Sequence, residues 1–145
     1  MMTYSPRGPR SRQMAQSYAT VGLETTVRSA SPVQLISMLY REARSWVTKA
    51  KYHMENGKLS ERHEAIRKAQ DIITLGLRAS VDESQGEVAK SLTQSYDLMT
   101  HHLVLANSRS QVEHLDIVLT MLQDIHTAWD IATGLAPADN DRPNA

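Results

Sequence analysis

The sequence predicts an all-α protein, an antiparallel up-and-down four-helix bundle with an N-terminal arm or short extra helix ahead of it. Three observations lead there. Four long segments repeat apolar residues at spacings of three and four, and helix-start and helix-stop residues divide them with short polar connections. No run of alternating β-branched residues competes for a strand. Short connections force consecutive helices to lie side by side in opposite directions.

Taken in order, residues 1–15 hold Arg7, Arg10 and Arg12 among Pro6, Gly8 and Pro9 with almost nothing apolar to bury, and read as a disordered basic N-terminal tail. Residues 16–30 read as an arm against the body, in which Gly22 and a scarcity of strong helix formers oppose a long helix. The bundle occupies residues 31–134, and residues 135–145 read as a flexible C-terminal tail.

The first helix is expected over residues 32–56. Ser31 can cap it, Pro32 sits in the first turn where a missing N–H costs nothing, and Gln34 can reach back to the cap. Gly57 suits a left-handed stop. Its stripe is Leu35, Leu39, Ala43, Trp46, Ala50 and Met54, widened by Ile36, Tyr40 and Val47. Ser60 is expected to cap the second helix, with Glu61 and Glu64 near its positive end. That helix should reach about Ser80, burying Ile66, Ala69, Ile72, Ile73 and Gly76, with Leu75, Leu77 and Ala79 extending its apolar surface.

After a polar connection at residues 81–86, the third helix is expected from Glu87 to about Asn107, with Val88, Leu92, Tyr96, Met99, Leu103 and Ala106 facing inward. Leu98 and Leu105 fall on another face. Ser110 and Glu113 form a second capping-box pattern and open a fourth helix that runs to about Thr133, before Gly134 and Pro137. Its stripe is Leu115, Val118, Leu122, Ile125, Trp129 and Ala132, widened by Met121 and Ala128.

With 145 residues the chain suits one domain. It has 16 basic and 16 acidic residues and formal net charge zero, so no global field draws it to nucleic acid or an anionic membrane. The lack of cysteine excludes disulfides, thiol catalysis and cysteine-based zinc sites. No apolar run approaches the roughly 20 residues a membrane span needs, and residues 1–12 have no apolar stretch behind their basic start. The chain reads as soluble, cytoplasmic and without membrane insertion. Phenylalanine is absent, so aliphatic side chains and methionine must fill the core.

Four-helix bundles often hold metals, but no carboxylate stands three positions before any of the six histidines, and no two histidines are three or four apart. They read as surface or groove-rim side chains. A phosphotransfer histidine needs a nearby lysine, whereas His101 and His102 precede Leu103, Val104 and Leu105. No Gly-x-Ser-x-Gly elbow or phosphate-cradling glycine loop is present. The chain is therefore expected not to be an enzyme and to need no cofactor or metal.

What remains is apolar surface: Ile36, Tyr40, Val47, Leu75, Leu77, Leu98, Leu105, Ile117 and Met121 lie beyond the primary stripes. About half should complete the core, since bundle helices bury wide arcs. The rest suit a groove for an amphipathic segment of another protein. Burying four large aliphatic side chains of a partner would give roughly 6–12 kcal/mol at ~1.5–3 each, of which ordering the ligand returns about 2–5 kcal/mol or more.

Tyr18 followed by Ser29-Ala30-Ser31-Pro32-Val33-Gln34-Leu35 and Met38-Leu39-Tyr40, with Lys68-Ala69-Gln70-Asp71-Ile72-Ile73, Gly86-Glu87-Val88-Ala89 and Tyr96-Asp97-Leu98-Met99, resembles the flagellin export chaperone family of the FliS type. The likeness runs from Tyr18 to Ala132. It implies a small helical bundle that binds the disordered C-terminal segment of flagellin in the cytoplasm, prevents premature polymerisation and assists type III export. When free, the chain is expected to be a monomer or weak homodimer, and flagellar export-gate components or a flagellar regulator are expected as further partners. The family's arm can cover part of the apolar surface and move, a role that passes to Tyr18, Val21 and Leu23, which serve otherwise as permanent core cover. The expected partner-binding set is Tyr18, Val21, Leu23, Ile36, Tyr40, Val47, Leu75, Leu98 and Leu105. Where family members often carry Asp-Gly-Ala after Met-Leu-Tyr, this chain has Arg41-Glu42-Ala43. A non-catalytic four-helix signalling or adaptor module, phosphotransfer-like, is the competing reading.

Overall fold

A computed structural model describes residues 30–135, and within them the chain forms a four-helix bundle without strands. The expected tails and most of the arm, including Tyr18, Val21 and Leu23, lie outside the described residues. Helix α1 spans Pro32–Glu55 and α2 spans Leu59–Asp71, continued by a π-helical stretch at Ile72–Leu77 and a 3-10 turn at Arg78–Ser80. A second 3-10 turn at Glu83–Gln85 leads to α3 at Glu87–Arg109 and α4 at Val112–Ala132.

The start of α1 follows its sequence signal. Ser31 Oγ accepts from the Gln34 N–H at 3.2 Å, and Gln34 Oε1 accepts from the Ser31 N–H at 2.9 Å, so two otherwise orphaned donors are satisfied reciprocally. Gly57 and Gly134 take φ of 67° and 78°, conformations that cost a side-chain-bearing residue, and end α1 and α4 as expected.

Two other starts differ from expectation. Lys58, not Ser60, is the N-cap of α2, and Ser60 lies inside the helix. Ser110 does not cap α4: it ends α3 in the left-handed region at φ 54°, and Gln111 is the N-cap of α4. At Ser110 the hydroxyl has another partner, from a distant residue. Arg62, buried on α2, donates from Nη1 to Ser110 Oγ at 3.0 Å and from Nη2 to the Asn107 carbonyl at 3.1 Å, satisfying groups at the C-terminus of α3 with a cation.

Cross-helix contacts give the antiparallel order. Along α1 and α4, Trp129 Nε1 donates to the Val33 carbonyl at 3.1 Å, while Lys51 meets Asp116 at 2.9 Å toward the opposite end. Along α2 and α3, Arg62 reaches Asn107, and Arg78 holds both oxygens of Asp97 at 2.7 and 3.3 Å. Helix α1 packs on both α2 and α4, and α3 closes the bundle against α4 and the π-helical stretch.

The second helix carries a feature its pattern does not announce. In α geometry each i to i+4 step drifts about 40° around the axis, so the row Ala69, Ile73, Leu77 would rotate off the core. The wider π turn reverses that drift. Leu77 is buried with Ile72, Ile73 and Gly76, rather than widening the outer surface. Gly76 lets this stretch approach α1 closely, since a Cβ there would stand 2.9 Å from Leu39 Cδ1.

The core is otherwise close to the expected one, with Leu39, Ala43, Met99, Leu103, Leu115, Val118 and Leu122 all buried. At helix ends the buried stripes stop short of the expected ones. Val88 is exposed while Ala89 and Thr93 face inward, and Ala128 and Ala132 are exposed on α4.

A candidate partner-binding surface on α3 and α4

The nine expected contact residues separate into three groups. Ile36, Tyr40 and Val47 are core side chains, 4%, 2% and 0% exposed, because α1 has neighbours on both flanks and buries both of its stripes. They present no surface in this arrangement. Leu75 and Leu98 are exposed and Leu105 is half-buried. Tyr18, Val21 and Leu23 are among the residues not described.

Leu98 and Leu105 are seven residues apart on α3 and share a face, with His102 between them. That face borders α4. His102 Nδ1 and His114 Nδ1 lie 2.9 Å apart across the seam, and Ile117 and Met121 follow His114 at i+3 and i+7 on α4. Because α3 and α4 run antiparallel, Leu105 lies on one side of this histidine pair along the seam, and Leu98, Ile117 and Met121 lie on the other. Ile117 is exposed and Met121 half-buried. Ile117 and Met121 are recognisable in the sequence as surplus apolar residues, but only the pairing of α3 with α4 sets them toward Leu98. Leu75 lies on the π-helical stretch; the helix that continues it meets α3 at Asp97, on the seam toward α2, so it is not part of this strip.

The histidine pair has a defined proton arrangement. The amide oxygen of Gln111 faces His114 Nε2 at 3.1 Å and can only accept, so the proton of His114 sits on Nε2. His114 Nδ1 then accepts from the N–H of His102 Nδ1. Burial lowers the His102 pKa first, and the neighbouring His114 and His101 lower it further.

A second polar cluster lies between α1 and α4. Contrary to the surface role expected of the histidines, His126 is buried, stacked on Tyr40 with ring centroids 5.6 Å apart. Arg44 Nη1 approaches His126 Nδ1 at 3.1 Å and has no lone pair to offer, so Nδ1 accepts and Nε2 carries the proton. That Nε2–H faces Ser37 Oγ at 3.1 Å and Asp130 Oδ2 at 3.2 Å. Burial lowers the His126 pKa; Asp130 opposes the shift, and Arg44 and Arg41 add to it.

Serine, histidine and aspartate together invite a comparison with a nucleophilic triad, but the wiring is wrong. In a triad the carboxylate orients the ring through the nitrogen opposite the one that takes the serine proton. Here Ser37 and Asp130 address the same Nε2, and a cation occupies Nδ1. The cluster is a packing device that joins α1 to α4. Beside it a cavity of about 400 Å³ is lined by Ala30, Gln34, Ser37, Met38, Arg41, Asp130 and Leu135. Among the described residues no group of three or more metal-ligating side chains converges, and no helix is long and apolar enough to cross a membrane.

Known proteins resemble this chain over most of its length. The family model described as "Flagellar protein FliS" matches residues 14–135. The chain is 39% identical over 115 residues to the flagellar secretion chaperone FliS of Salmonella typhimurium, covering 79% of this chain and 85% of that protein. It is 35% identical over 115 residues to the flagellar secretion chaperone FliS of Escherichia coli, covering 79% and 85%. It is 32% identical over 120 residues to that of Vibrio cholerae, covering 82% and 88%. These relatives are named as chaperones rather than as enzymes. The chain belongs to the FliS family of flagellar proteins.

Proposed function

We propose that this chain is a cytoplasmic flagellar secretion chaperone that binds the disordered C-terminal segment of flagellin, keeps it from polymerising early and assists its type III export. The observation that carries the proposal is the apolar strip along the seam of α3 and α4, in which Leu98 and Ile117 are exposed and Leu105 and Met121 half-buried, beside a core that is already filled. A segment that forms coiled coil after export is amphipathic. Laid along α3 and α4 as a helix, it would bury its own apolar face together with that strip. Folding on binding costs part of the gain, which leaves the complex reversible, as delivery to an export apparatus requires.

Tyr18, Val21 and Leu23 are assigned to the same function as displaceable cover. Ile36, Tyr40 and Val47 support it from inside, by fixing α1 under the surface helices. A pull-down tests the reading. Flagellin retaining its C-terminal segment should be captured and flagellin lacking it should not; equal capture of the two would contradict the proposal.

A further inference from the structure

The seam between α3 and α4 holds two imidazoles whose Nδ1 atoms are 2.9 Å apart, both half-buried and within reach of solvent. The residues lie twelve apart on different helices, so a search for i+3 or i+4 pairs does not find them. We infer that His102 and His114 form a bidentate site for a divalent transition-metal ion of tetragonal preference, nickel(II) or copper(II), bridging α3 and α4.

The donor set selects the class of ion: two imidazole nitrogens with water in the remaining positions suit nickel(II) and copper(II), which stand at the upper end of the divalent affinity order. The ring centroids stand 5.2 Å apart, so the nitrogens now face head-on across a hydrogen bond, and both rings must swing toward solvent to aim their lone pairs at one ion. Side chains that are only half-buried have room to do so.

The protons are already suitably placed on one partner. Gln111 holds the His114 proton on Nε2 and leaves Nδ1 free to ligate, the outer-shell arrangement that ligating histidines use. On His102 the proton moves from Nδ1 to Nε2, a tautomer change with no net release. No third histidine, cysteine or carboxylate joins them among the described residues, so water completes the coordination and the ion exchanges. The bound ion ties α3 to α4 between Leu105 and Ile117.

Calorimetric titration of the untagged full chain with nickel(II) tests this. One ion per chain is expected in the wild type, with binding weakened at least about 10-fold in His102→Asn and His114→Asn, and roughly 10-fold in Gln111→Ala through loss of the outer-shell contact. His101→Asn, whose ring lies on the exposed side of the same turn, should bind as the wild type does. Absence of one-to-one binding in the wild type, or unchanged binding in His102→Asn or His114→Asn, would overturn the inference. Should those variants not fold, the copper(II) electron paramagnetic resonance spectrum of the wild type decides. Coupling to two imidazole nitrogens supports the site, and any other nitrogen count overturns it.

Discussion

The hydroxyls of Tyr40 and Tyr96 lie 2.6 Å apart in the interior, one on α1 and the other on α3, and each ring is 2% exposed. A bundle without phenylalanine thus uses two tyrosines as large core side chains and lets each satisfy the other's polar end. Burial is also the first reason that both phenols resist ionisation, with Tyr40 pushed up to about 12.

Tyr40→Phe should cost about 1–3 kcal/mol, because it strands the Tyr96 hydroxyl without a partner. The double variant Tyr40→Phe with Tyr96→Phe should recover much of that loss. Urea unfolding of the four proteins gives the coupling directly, and strictly additive losses would contradict a shared hydrogen bond. The sign with pH follows from the raised pKa. The stabilisation is complete below about 10, where the unfolded chain's tyrosines are neutral, and is lost as pH rises toward about 12.

Gly76→Ala sets two effects against each other. Alanine favours the helix by about 1 kcal/mol over glycine, but its Cβ would stand 2.9 and 3.2 Å from the two methyls of Leu39, a side chain with no exposed surface. Overpacking of this kind costs about 1–3 kcal/mol, so a net destabilisation of about 1 kcal/mol is expected. Combining it with Leu39→Val should reduce the penalty, measurable by chemical denaturation. A stabilised Gly76→Ala protein would mean that the π-helical stretch does not press on α1.

His126 links stability to acid. Its folded pKa lies below the ordinary value of 6.5, so its neutral form contributes fully above that pH, and the contribution is lost as pH falls toward the folded pKa. His102 acts in the same direction. Comparing unfolding free energies of wild type and His126→Gln across this range isolates the His126 share: the wild type should lose more on acidification. Parallel curves would contradict the burial of a neutral imidazole there.

These features differ in how far the sequence revealed them. Ser31 with Gln34, Gly57 and Gly134 act within a turn of chain, so their roles were legible. Ser110 departs from its local pattern: it ends α3 in the left-handed region, and its hydroxyl accepts from Arg62, 48 residues away. The histidine pair was invisible for the same reason: His102 and His114 meet only once α3 turns back along α4. Surplus apolar residues were countable, but their fate depended on neighbours. Helix α1, flanked by α2 and α4, absorbed Ile36, Tyr40 and Val47, whereas among the described residues no helix covers Leu98 on the outer face of α3.

The measurement that bears most directly on the account is calorimetric titration of a flagellin C-terminal peptide into the wild type and into Leu98→Asp with Ile117→Asp, followed by circular dichroism. About one peptide per chain should bind with gain of helix. Loss of two buried apolar contacts at ~1.5–3 kcal/mol each should weaken binding by at least about 10-fold in the variant. Tyr52→Asp, an exposed aromatic on α1, serves as the control and should bind normally. No saturable binding by the wild type would contradict the chaperone reading, and undiminished binding by the double variant would contradict the α3 and α4 surface as its site.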